Sequence, residues 1–109
     1  MNRKHKYRLG GKVRTFVFDL NTMCEFDQIT GMNSLHDAIW EKPSFNTIRA
    51  MAFCALKRTD KEVTLDQVGE WVGVNKTGDL LRFLIEAYID FQPEGKEKSE
   101  DDGKKKASV

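Results

Sequence analysis

Residues 9–26, LGGKVRTFVFDLNTMCEF, decide how this chain is read. Gly10-Gly11 separates the short run 7–9 from the run 12–18, and paired glycines suit the positive φ angles of a two-residue hairpin turn. Val13, Thr15 and Val17 then alternate with Arg14, Phe16 and Phe18. This two-residue period in β-branched and aromatic residues predicts a β-hairpin. Asn21 stands as the N-cap of a helix over residues 22–30, and Gly31 is placed to close it. Met23, Phe26 and Ile29 share one face, and Met32 is positioned to fold back onto Phe26. None of these residues forms a chemically reactive constellation, so the stretch reads as scaffold.

Outward from the hairpin the chain reads as helices. Ser34 and Asp37 suggest a short helical turn ending near Trp40, before Pro43 breaks the chain. Ser44 caps a helix over residues 45–58, with Phe45, Ile48, Met51, Ala52, Ala55 and Leu56 on one arc and Phe53 and Cys54 outside it. A helix apolar nearly all round belongs at the centre of its domain. Thr64 and Gln67 form a capping box flanked by a Val63–Val68 staple, and Gly73 closes that helix. A last helix runs from Thr77 or Gly78 to Phe91. Its apolar arc of Leu80, Leu81, Leu84, Ile85, Ala87, Tyr88, Ile89 and Phe91 leaves only Asp79, Arg82, Glu86 and Asp90 wet, with Phe83 at the edge. The arc is wider than packing on one neighbour requires. The fold class is therefore α+β and mostly helical, an N-terminal β-hairpin packed on a small bundle of four to five helices. Residues 1–6 read as a disordered basic arm, 7–91 as a single domain, and 92–109 as a disordered charged tail.

The 109 residues carry a net charge of +1, which conceals a division. Residues 1–15 hold six basic side chains and no acid, residues 16–91 hold seven basic and twelve acidic ones, and the tail from Gln92 holds five of each. Such a basic arm is a solvated terminus, or it meets a phosphate backbone or an acidic partner. No apolar run spans a bilayer and no apolar stretch follows the basic N-terminus, so the expected location is the cytoplasm. Cys24 and Cys54 are expected reduced and partly buried, and with His5 and His36 they lack metal-ligand spacing.

Catalysis finds no support. Asp101-Asp102 lies in the tail, where nothing can set two carboxyl pKa values apart, and Ser34, His36 and Asp37 are only sequence neighbours. The chain is expected to be no enzyme and to hold no cofactor or metal. Residues 65–84 imitate a helix-turn-helix, with Gly69 and Gly73 spaced like its small residue and turn glycine. The match fails at Asp79, where a core position should be apolar. The second helix sets Asp79, Glu86 and Asp90 against Lys76 and Arg82, so nucleic acid is disfavoured. A small DNA-binding or regulatory domain with a basic arm is the alternative reading.

The order LGGKVRTFVFDLNTMCEFDQITG, then PSFNTIRAMAFCAL, then DKEVTLDQVGEWV resembles the small tail assembly chaperones of long-tailed bacteriophages and gene-transfer-agent-like elements. In that family an LGGK turn leads into an FDLN junction, followed by helices of the LR-ALLWAGL and LTLEEVGELL types. Residues 9–12, 18–21, 48–56 and 63–72 occupy those places here. The resemblance implies a non-enzymatic chaperone of virion morphogenesis, encoded by a phage or prophage. It would bind the tape measure protein and keep it soluble while the tail tube assembles, and be absent from the mature virion. The tail tube protein and a second copy of the chain are further partners it admits. The partner-binding residues expected on this reading are Trp40, Phe53, Leu80, Phe83, Ala87, Tyr88 and Phe91. The family's programmed frameshift would fall at the run Lys104–Lys106, in codons for Gly103 and the three lysines.

Overall fold

A computed structural model describes residues 3–91. Strand β1 (Lys4–Leu9) pairs antiparallel with β2 (Lys12–Val17), followed by α1 (Leu20–Thr30), α2 (Phe45–Lys57), α3 (Leu65–Trp71), a 3-10 turn at Val74–Lys76 and α4 (Thr77–Phe91). The α+β, mostly helical architecture agrees with the sequence reading. Gly10 and Gly11 have φ of 64° and 86°, the pair of positive angles that a type I′ turn demands. The strand begins earlier than expected. Residues 4–6, read as part of a disordered arm, pair with Val17, Phe16 and Thr15. A charged run joins a sheet readily when a partner strand lies opposite, because the ladder is made by the backbone.

The first helix starts at a different cap. Asp19, not Asn21, is the N-cap: its side chain accepts from Thr22 N–H at 2.9 Å, and the Thr22 hydroxyl completes a capping box. Both residues are acceptable cap types, so composition could not separate them; only Asp19 has the extended backbone that precedes the helix. Gly31 closes the helix as expected, in the left-handed region at φ 76°, donating to Asp27 O at 2.8 Å. The short helical turn expected from Ser34 to near Trp40 is limited to a hydrogen-bonded turn that starts at Asn33, with His36 N–H donating to Asn33 O at 3.0 Å. Asp37 N–H donates to Asn33 O at 2.7 Å, the backbone bond of one helical turn, and Asp37 Oδ2 accepts from Asn33 N–H at 2.9 Å.

Helix α2 is the centre of the molecule and packs against α1, β2, α3 and α4. Its cap is Ser44, accepting from Thr47 N–H at 3.1 Å. Residues from Ala50 to Leu56 are all buried, including Phe53 and Cys54, which lie outside the helical arc read from the sequence. Enclosure on every side removes the distinction between faces. Phe45 goes the other way, 69% exposed at the first turn. The capping box of α3 is present, with Gln67 N–H on Thr64 Oγ1 at 3.1 Å and Thr64 N–H on Gln67 Oε1 at 3.0 Å. Its staple residues Val63 and Val68 are buried. Gly73 does not close α3 as a left-handed cap; Val72 and Gly73 are extended and lead into the 3-10 turn.

Aromatic side chains fasten α4 to the hairpin. Phe83 stacks on Tyr7 at 4.5 Å between centroids and meets Phe16 edge-on at 5.2 Å. Tyr7 donates its hydroxyl proton to Asp79 Oδ2 at 2.8 Å. At the turn, the Arg14 guanidinium lies 3.9 Å from the Trp71 ring centre and its Nε–H donates to Leu9 O at 2.6 Å. The expected tail lies outside the described residues, as do Gly103 and the lysines after it.

Candidate partner-binding groove

The seven expected partner-binding residues do not form one surface. Leu80 and Ala87 are 1% exposed and Phe53 is 9% exposed, so all three are core. Phe83 is half-buried under the hairpin, engaged by Tyr7 and Phe16. Phe91 is half-buried against the core at the end of α4. Trp40 and Tyr88 meet each other edge-on at 5.8 Å, and the Trp40 indole N–H is buried with no hydrogen-bond partner among the described residues. Burial, followed by the charge of Asp27, raises the pKa of Tyr88 above the usual tyrosine range. The wide apolar arc of α4 is thus consumed by two neighbours at once, α2 on one side and the hairpin on the other. Ile89 is left 52% exposed.

The available apolar surface lies elsewhere. A groove of about 390 Å³ opens between the first turns of α2, helix α3, the 3-10 turn and the start of α4. Its floor is Ile48, Val68 and Leu80, each buried. Phe45 and Val74 stand on its rim, 69% and 78% exposed. Three local features build it. The Ser44 cap starts α2 at Phe45, and a first-turn side chain has no preceding turn to lie against. The Thr64 box fixes the start of α3, and the extended Val72-Gly73 link lifts Val74 out to the surface. The helical period of 45–58 assigns Phe45 to the core arc, and Val74 shows no pattern beyond being an apolar residue in a loop.

Arg49 is the groove's cation. Its hydrogen bond within the described residues goes to Asn46 Oδ1 at 3.4 Å, and it forms no ion pair there. Gly69 lies opposite, where an added Cβ would stand 3.3 Å from Arg49 Cδ, so the small residue lets the arginine cross the groove wall. An apolar trough with one charge at its side suits an amphipathic helix laid lengthwise, with anchors at helical spacing. Its volume falls within the roughly 300–1,000 Å³ of ordinary binding clefts.

Reactive groups are not gathered here. Cys24 is exposed and Cys54 buried, both free, so Cys24 departs from the partial burial expected of it. Burial, then the charge of Glu25, pushes the Cys54 thiol up to about 12 despite Lys57. Among the described residues, no group of three or more His, Cys, Asp or Glu side chains could hold a metal ion, and no helix is long and apolar enough to cross a membrane. Comparison with protein-family models, with curated proteins and with solved structures finds no match to this chain.

Proposed function

We propose that this chain is a non-enzymatic assembly chaperone of the phage tail type, which covers apolar helical faces of the tape measure protein until the tail tube forms around it. It acts in the host cytoplasm and leaves before the virion is complete. The observation that carries this reading is the apolar groove at Phe45, Ile48, Val68, Val74 and Leu80, with two large apolar side chains held out in water at its rim. Exposing Phe45 and Val74 forgoes the burial that stabilises core residues, about 1.5–3 kcal/mol for each large side chain. A partner helix that covers them recovers it. One groove of this size takes only a few side chains, so each engagement is weak and reversible. Strength along a long partner comes from many copies bound side by side.

The test is co-expression with the long, apolar-rich helical protein that this reading expects to be encoded downstream. The wild-type chain keeps that protein in the soluble fraction. The double substitution Phe45→Glu, Val74→Glu leaves the chaperone's helical circular dichroism unchanged, since both side chains are exposed, and abolishes the effect. Equal solubility with and without the chain, or with the variant and the wild type, contradicts the proposal. So does a shift of duplex DNA at moderate salt, the behaviour of a small regulator.

A further inference from the structure

The hairpin has two chemically different faces. His5, Tyr7, Leu9 and Phe16 turn inward, the last two buried. The pairs Lys4↔Val17, Lys6↔Thr15 and Arg8↔Val13 share the other face, where β1 contributes only basic side chains. All three of those bases are exposed. Beside this face lies a cleft lined by Lys4, Lys6, Lys12 and Arg14, whose one carboxylate, Asp60, stands 3.5 Å from Arg14.

The two edges also differ. A two-residue I′ turn makes Leu9 and Lys12 a hydrogen-bonded pair, and pairs alternate from there. Phe18 N–H donating to Arg3 O at 2.8 Å is in phase with this pattern. Lys4, Lys6 and Arg8 therefore direct their backbone groups away from β2, and Val13, Thr15 and Val17 direct theirs away from β1. On the β2 edge two outward carbonyls are already taken by hydroxyls, Thr59 Oγ1 donating to Thr15 O at 2.7 Å and Thr22 Oγ1 to Val17 O at 2.8 Å, and α2 packs against this strand. No hydrogen bond within the described residues reaches the outward backbone groups of Lys6 or Arg8.

We propose that the β1 edge is a docking site for an extended acidic segment of another protein, which adds as a third strand at Lys6 and Arg8. Backbone bonds to those two residues supply the pairing, and carboxylates at every second position of the incoming strand fall beside Lys4, Lys6 and Arg8. Both sets recur at the same strand spacing, about 6.8 Å for alternate residues. The basic row also sets specificity, because lysine and arginine on an edge keep apolar strands away. This site is on the hairpin, away from the groove, and stands whether or not the chaperone reading does.

The experiment follows amide hydrogen exchange of the full chain by NMR, with a short peptide carrying Glu at every second position. Controls are a peptide of the same composition with its glutamates contiguous, and a single-stranded oligonucleotide of equal charge. The alternating peptide protects the Lys6 and Arg8 amides, which exchange freely in the unbound protein. The contiguous peptide binds more weakly. Substituting Lys6→Glu with Arg8→Glu lowers affinity about tenfold or more. Lys6→Gln with Arg8→Gln, a milder pair, lowers it in the same direction if charge reversal disturbs the hairpin. Unchanged ring-current shifts of Tyr7 and Phe83 verify the fold in each variant. Peptide binding without protection of those amides, preference for the oligonucleotide, or no binding at all overturns the proposal.

Discussion

Gly10 is held by two constraints at once. Its φ of 64° is a conformation L side chains rarely adopt, and a Cβ there would stand 2.7 Å from the Trp71 ring. That ring cannot retreat easily, because the Arg14 guanidinium stacks against it. Gly11 has φ 86° but open space around it. Gly11→Ala should therefore cost about 1 kcal/mol through backbone strain alone. Gly10→Ala adds an overpacking cost and should lose about 2–4 kcal/mol. Urea unfolding of the two variants checks the difference; equal losses would mean that Trp71 yields freely. The Gly-Gly turn was legible from the sequence because its requirement is local. Its closeness to Trp71, 61 positions further along, was not.

At the scale of elements, the start of α1 shows where local rules stop. Burial works against ionisation of Asp19, but the bonds from Thr22 and the charges of Arg58 and Arg3 outweigh it and hold the carboxyl below its usual pKa. A lowered folded pKa gives stability that is present at neutral pH and lost as pH falls through that value. Asp19→Ala should cost about 0.5–2 kcal/mol near pH 7, less in acid, while Asn21→Ala stays within about 0.5 kcal/mol. Thermal unfolding at two pH values separates them. A larger loss at Asn21 would restore the cap read from sequence. The α3 capping box was read correctly because both partners lie three residues apart. The arc of α2 misplaced Phe45 and Phe53, because a helical period says which side chains share a face and not how many faces are covered.

Over the whole molecule, the hairpin and α4 are joined through Tyr7, Phe16, Phe83 and Asp79. That junction should govern stability at high pH. Burial first, then the hydrogen bond and charge of Asp79, push the Tyr7 pKa up to about 12 from 10.0. Cys54 rises from 9.0 to about 12, chiefly through burial. Both groups are protonated in both states at neutral pH, so their contribution is full there. The unfolded chain loses these protons first, and stability falls as pH rises from about 9 toward 12. Tyr7→Phe should lower stability at pH 7, through loss of the Asp79 bond, yet flatten the decline between pH 10 and 12. Parallel declines in wild type and variant, measured by urea midpoint, would assign the alkaline loss to other groups.

Features decided by neighbours along the chain were legible in its residues: the tight hairpin turn at Gly10-Gly11, the Ser44 and Thr64 caps, the Gly31 closure, and α2 as the central helix. The tertiary structure decided which apolar residues stay exposed. The wide arc of α4 pointed to a binding surface there, but Tyr7 and Phe16 of the hairpin occupy Phe83, while Leu80 and Ala87 pack into the core. The apolar groove instead carries Phe45 and Val74 on its rim, and the basic arm became β1, the outer strand of a hairpin whose β2 carbonyls are engaged by hydroxyls. The physical reason is the same for both. Periodicity and composition describe one segment's demand for burial, whereas exposure depends on how many other segments arrive to meet it.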